Sequence, residues 1–276
     1  MNPGRRAKSL IKTGVKTFVG LPGLAPRSHP PCARILTYHS IGHRDHEMNV
    51  TPEAFREQMA WLADHGPVIP LDAAAEGVSG VALTFDDGYL DNLTQAAPVL
   101  GRYGFPATVF MVAGRAGAVL PHDTDPATST LMSWEELRRI EEAGWTVGAH
   151  SLTHCRLSTL TEPQQRSEIE GSRRLLEEKL GHAVTAFAYP YGSAADYNEA
   201  SIRLVKESGY RYAVSNRYGV TTNVSPRWAL RRIWIDATDS LAFFRAKITG
   251  RLDSLTMLDS PGAIRLRKLL NSALKG

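Results

Sequence analysis

The chain has 276 residues, enough to bury a large core as one α/β barrel or two smaller domains. Its composition, 43% hydrophobic and 22% charged, is that of an ordinary soluble globular protein. No apolar stretch approaches the roughly 20 residues of a membrane-spanning helix, and two cysteines, Cys32 and Cys155, are too few for a disulfide framework.

The formal net charge of +4 is unevenly placed. Residues 1–30 carry six Lys/Arg and no acid, and residues 245–276 carry seven against Asp253 and Asp259. The stretch between them keeps 19 of the 32 basic and 26 of the 28 acidic residues, a net charge of −7. Basic ends are solvated tails or surfaces attracted to phosphate. Apart from Phe18 they lack the interleaved aromatics of nucleic-acid binders, so no nucleic-acid partner is expected.

Over 5–19, Ile11, Val15 and Phe18 share one helical face and Lys8, Lys12 and Lys16 another. That pattern fits a helix on an anionic membrane or on the domain's own surface. Lys12, Gly14 and Lys16 interrupt any secretory apolar run, so the reading is no signal peptide. A cytoplasmic protein, with peripheral contact at the inner membrane face through its basic termini, is the expectation. The stretch 21–31, with four prolines, reads as a linker. The division expected is a basic arm and linker over 1–30, a folded domain over 31–249, and a basic helical tail over 250–276.

The first strand is expected over 33–39. A helix follows with Thr51 as N-cap and Pro52 at its first position, an inner stripe of Phe55, Met59 and Leu62, and Gly66 as its stop. A short apolar strand from Val81 to Phe85 ends in two adjacent carboxylates, Asp86 and Asp87, and a turn-forming Gly88. A helix over 90–103, with Pro98 as a point of kinking, leads to a strand over 107–112. The stretch 114–132 is a long connection of the kind that is often functional. Ser133 to Glu136 is a capping box opening a helix that ends at Gly144. A strand over 145–149 runs straight into His150. A polar helix over 162–180, a strand over 184–189, a helix over 198–208 and a strand over 211–215 follow. The last strand is expected over 230–235, then a helix over 240–248 and a final helix from Ser260.

Strands alternating with helices argue for a parallel sheet covered on its faces. His39, Asp86, Asp87, His150, Pro190 and Tyr191 all fall just past the C-terminal ends of strands. A closed barrel gathers such ends around one mouth, whereas an open sheet would scatter some of them. His150 and His154 lie four residues apart, which on a helical turn puts both on one face. Two imidazoles and a carboxylate are a common catalytic zinc set with a position left for water. Two adjacent carboxylates repel unless their roles are separated, by a metal on one or by a proton.

Thr84-Phe85-Asp86-Asp87-Gly88 with His150-Ser-Leu-Thr-His154 resembles the first two motifs of the polysaccharide deacetylases, the NodB-like carbohydrate esterases. Phe187-Ala188-Tyr189-Pro190-Tyr191-Gly192 resembles a variant of the third. The resemblance spans roughly 33–248. It implies a distorted (β/α) barrel of about seven parallel strands and a divalent metal, zinc in the first instance, with cobalt or nickel as alternatives. It implies Asp87, His150 and His154 as metal ligands, Asp86 as general base, and the Tyr191 N–H as oxyanion donor with Pro190 fixing the turn. It implies an N-acetylated carbohydrate as substrate.

Two departures stand out. Ala188 occupies the position where the third motif often has arginine, and no histidine follows His182 to serve as the late acid. His39 fills that role in the circularly permuted branch, similar to poly-N-acetylglucosamine deacetylases, and is the expected general acid. Leu230-Arg231-Arg232 resembles a Leu-Pro-Arg motif of the same branch, with Arg232 able to orient Asp86. The function expected is N-deacetylation of an N-acetylglucosamine-containing oligo- or polysaccharide or lipid-linked saccharide. An O-acetyl esterase of the same fold and an inactive sugar-binding module are the alternatives.

Overall fold

A computed structural model of the chain describes residues 32–121, 123 and 125–259. The basic arm over 1–30 and the helix expected from Ser260 lie outside these residues.

Strand β1 (Ala33–Tyr38) is followed by a small parallel pair, β2 (Ser40–Ile41) with β3 (Asn49–Val50). Helix α1 (Pro52–Ala63) starts where the Thr51 hydroxyl accepts from the Ala54 N–H. It ends at Ala63, short of the expected stop at Gly66, because the amides of Asp64 and His65 fold back onto Trp61 and Leu62. The short helix α2 (Leu71–Ala75), unforeseen in the sequence, packs Leu71 and Ala74 in one cluster with Ala33, Ile35 and Ala82. Strand β4 (Gly80–Phe85) leads to the acidic pair.

The helix expected over 90–103 is divided into a π turn at Asn92–Ala96 and helix α3 (Ala97–Tyr103). Pro98 has no N–H for the carbonyl one turn back, and the widened turn accommodates it. Strand β5 (Ala107–Met111) opens the long connection, which contains the one-turn helix α4 (Pro126–Ser129). Helix α5 (Trp134–Glu142) opens on the Ser133–Glu136 capping box. Strand β6 (Thr146–Ala149), helix α6 (Glu162–Leu180), strand β7 (Ala186–Ala188) and helix α7 (Glu199–Glu207) follow. Strand β8 (Tyr212–Tyr218) runs three residues past the expected end, through a register shift against β9 (Leu230–Trp234). Helix α8 (Leu241–Ile248) starts at the Ser240 cap, and a 3₁₀ turn at Asp253–Asp259 closes the described chain.

Seven strands form a closed barrel in the order β1-β4-β5-β6-β7-β8-β9, every neighbouring pair parallel. Alternation along the strands sorts their side chains into two cores. Ile35, Ala82, Phe110, Ala186, Ala188 and Val214 belong to a cluster of mostly small residues inside the barrel. Their neighbours Leu36, Leu83, Val109, Met111 and Phe187 face outward, in one cluster with Phe55, Met59, Leu137, Ile169 and Leu204 of the surrounding helices. Parallel direction brings the residue after each strand to one mouth. Among the described residues no helix is long and apolar enough to cross a membrane.

Candidate active site

The register of β1 on β4 pairs Tyr38 with Phe85, so His39 and Asp86 leave the barrel side by side. The Asp86 N–H donates to Tyr38 O at 2.9 Å. Asp86 continues the inward face of Thr84 and is fully buried. Inside the barrel it meets Arg232 of β9, which donates from Nη1 to Oδ1 at 2.7 Å and from Nη2 to Oδ2 at 2.6 Å. The remaining guanidinium hydrogens go to Thr84 Oγ1, Ser215 O and Asn216 Oδ1 at 3.1, 3.0 and 2.7 Å. All five donors of the side chain are thereby used. Burial pushes the Asp86 carboxyl up, but Arg232, with His150 and His39, outweighs it and holds Asp86 below the usual carboxylate range.

His39 Nε2 lies 3.9 Å from Asp86 Oδ2. Burial pushes the imidazole below its ordinary value, and the nearby carboxylates do not cancel the effect. Its Nδ1 is buried without a hydrogen-bond partner. Its main chain is anchored from the π turn: Asn92 Nδ2 donates to His39 O at 2.7 Å, and Ser40 Oγ donates to Asp91.

Asp87 turns away from Asp86 because its φ is +71°. His150 follows β6 with its N–H on Met111 O at 2.9 Å, and its Nδ1 lies 2.8 Å from Ala188 O. That contact fixes the hydrogen on Nδ1 and leaves the Nε2 lone pair facing Asp87. His150 Nε2 is 3.5 Å and His154 Nε2 3.2 Å from Asp87 Oδ1. Asp87 Oδ1 is nevertheless buried with no aligned hydrogen bond. One ligand atom from each of the three residues falls within 4.8 Å of the others. Two imidazole nitrogens and a carboxylate oxygen converging on one point suit a divalent cation. Burial lowers the His150 pKa to about 4, which keeps that ring neutral, as a ligand must be.

The helical turn expected for the His pair is not formed. The segment is a loop in which Ser151 and His154 have φ of +60° and +63°, closed by the His154 N–H on Ser151 Oγ at 3.0 Å. With Asp87 and Tyr191 (φ +60°), these are the only non-glycine left-handed residues among those described. Such backbone costs roughly 1–3 kcal/mol per residue and concentrates at functional sites.

Pro190 and Tyr191 follow β7. The Gly192 N–H donates to Pro190 O at 2.7 Å, and Asn216 Nδ2 donates to Tyr191 O at 3.2 Å. Tyr191 is 45% exposed, with its ring centroid 4.8 Å from that of His154 and the Arg156 guanidinium 4.8 Å from it. Asn216 thus joins the Tyr191 turn to Arg232. It went unremarked in the sequence, as did Asn92 and Glu168, and Thr84 was read only as part of the strand motif; each acts through a partner on another segment of the chain, which no local pattern marks. Cys155, next to His154, is no member of the ligand group, and burial with Glu168 pushes its thiol up to about 12.

Comparison with known proteins identifies the family and the shared fold. The family model described as polysaccharide deacetylase matches residues 74–213. The Bacillus subtilis protein YxkH, whose name assigns it to the polysaccharide deacetylases, is 30% identical over 223 residues, 78% of this chain and 75% of that protein. The poly-beta-1,6-N-acetyl-D-glucosamine N-deacetylase of Staphylococcus epidermidis is 25% identical over 212 residues, covering 70% of this chain and 71% of its own. Among solved structures, IcaB from Ammonifex degensii superposes with a TM-score of 0.69 at 20% identity, over 82% of this chain and 98% of its own, which shows the shared barrel. The match to that family model over half of the chain, together with a relative 30% identical over most of both chains, shows that the chain belongs to the polysaccharide deacetylase family.

Proposed function

We propose that this protein is a metal-dependent hydrolase that removes acetyl groups from N-acetylated sugars, in oligo- or polysaccharides or lipid-linked saccharides containing N-acetylglucosamine. The observation that carries this reading is the opposite fate of two neighbours. Asp86 has both oxygens on Arg232, whereas Asp87 Oδ1 has two imidazole nitrogens within 3.5 Å and no hydrogen bond. Relatives named for removing acetyl groups from poly-N-acetylglucosamine support the substrate class.

Asp87, His150 and His154 would hold the divalent ion. When bound, such an ion lowers the pKa of water and polarises a carbonyl. Asp86, kept ionised and oriented by Arg232, takes the proton from the attacking water. The Tyr191 N–H, at the rigid turn after Pro190, donates to the oxygen of the acetyl group as charge develops on it. His39 gives a proton to the sugar nitrogen as the C–N bond breaks, releasing acetate and a free amine. A screen for acetate release tests this reading: N-acetylglucosamine oligomers and O-acetylated xylan, with zinc, cobalt and nickel added in turn and with metal removed by a chelator. Release from the N-acetylated oligomers, lost on chelation and restored by metal, supports it. Release from xylan alone replaces it with an O-acetyl esterase.

A further inference from the structure

We infer that Glu168 of α6 is a positioning residue for the metal-binding loop, and that metal affinity depends on it; this rests on the ligand set proposed above. Glu168 lies 14 residues past His154, on a helix that contributes no ligand. Its Oε2 accepts from the N–H groups of both Leu152 and Thr153 at 2.9 Å, and its Oε1 accepts from Thr153 Oγ1 at 2.7 Å. Successive N–H groups aimed at one anion form the concavity that a backbone otherwise offers to phosphate, and here the chain supplies the anion itself.

The opposite side of the loop is held as firmly. Ala113 and Gly114, past β5, donate to Ser151 O and Leu152 O at 3.1 and 2.8 Å. Both approaches need small residues. A Cβ on Gly114 would lie 2.5 Å from Leu152 O, and one on Gly171, a turn after Glu168, 3.0 Å from Leu152 Cδ1. The three residues between the ligands are therefore gripped at their carbonyls from β5 and at their amides from α6. Within that grip Ser151 and His154 adopt left-handed backbone, and His154 Nε2 comes within 3.2 Å of Asp87 Oδ1. Without Glu168, the Leu152 and Thr153 amides turn to solvent and the loop gains conformations in which His154 faces away. Groups that support metal ligands in this way typically contribute about 10- to 100-fold in affinity.

The test is the dissociation constant for Co²⁺ and Zn²⁺, measured by chelator competition on the full chain, with the Co²⁺ visible spectrum and the KM and kcat for acetate release. Glu168→Ala should weaken both metals about 10- to 100-fold. Saturating metal should restore kcat and leave KM unchanged. Glu168→Gln, whose amide oxygen can still accept the two N–H groups, should lose less, as should Thr153→Val, which removes only the hydroxyl contact. Wild-type metal affinity in Glu168→Ala, or in Glu168→Gln and Thr153→Val together should the alanine variant not fold, overturns the proposal, even with lowered thermal stability. Failure of the unmodified protein to bind either metal is a separate result, which removes the ligand-set reading and this inference with it.

Discussion

On the outer face of the barrel, toward its bottom, Arg34 of β1 grips Asp253 at 2.7 and 2.8 Å; inside, near the mouth, Arg232 of β9 grips Asp86 at 2.7 and 2.6 Å. The two pairs have nearly the same geometry and different surroundings. The Arg34 and Asp253 side chains are 10% and 11% exposed, and the pair ties the last described turn to the first strand. The Arg232 pair is wholly enclosed, every guanidinium hydrogen is assigned, and one edge of its carboxylate faces His39. Among the described residues, the mouth also holds all the left-handed non-glycine ones and the Asp87 Oδ1 that has no aligned hydrogen bond, whereas the bottom is filled by Leu71 and Ala74 against small barrel residues. The Arg34 pair ties two segments of the fold together. The mouth concentrates the left-handed backbone, as functional sites do.

Removing Arg232 should separate the two ends most. Arg232→Ala leaves Asp86 buried without a counter-ion, a cost of about 3–5 kcal/mol in unfolding free energy, measurable by urea denaturation at neutral pH. The sign of the pH effect follows. Arg232 lowers the Asp86 pKa, so the pair stabilises the fold above the ordinary carboxylate value and that contribution is lost as pH falls through the folded-state pKa. Without Arg232 the burial effect remains and raises the pKa. The acid limb of the deacetylation profile should then move to higher pH in whatever fraction stays folded.

His39→Ala should come next, with turnover reduced about 10²- to 10⁴-fold and metal content unchanged. A general acid works protonated, so turnover in the unmodified enzyme falls as pH rises through the His39 pKa. Burial depresses that pKa, placing the limb below that of an exposed imidazole. The alanine variant should lose that limb, and full activity in it would return the acid role to another group. The smallest effect is expected at the bottom. Arg34→Ala should cost about 1–3 kcal/mol, the range for losing a charged hydrogen-bond partner, with specific activity per folded molecule unchanged. A fall in kcat there would mean that the two ends are coupled.

The ends of the barrel also differ in how legible they were. The mouth could be read because its residues sit in short motifs directly after apolar strands. The barrel itself followed from alternating strands and helices. Arg232 was harder. Leu230-Arg231-Arg232 offers two arginines, and only the alternation that puts Leu230 inward assigns Arg232 to the interior. The histidine spacing misled, because four residues fit a helical turn and equally a loop held by Glu168 on a later helix. Asn216 and Asn92 act through contacts to main chain or side chains distant in sequence, which no local pattern encodes. The tie between the last described turn and the first strand depends on Asp253 meeting Arg34 across 219 residues, beyond the reach of any periodicity.

The division of labour between the adjacent aspartates is tested most directly by measuring bound metal and acetate release together in Asp86→Asn and Asp87→Asn. Asp86→Asn is expected to keep its metal while acetate release falls about 10²- to 10⁴-fold. Asp87→Asn is expected to lose both. Equal loss of metal in the two variants, or undiminished acetate release from Asp86→Asn, would contradict the assignment of base and ligand.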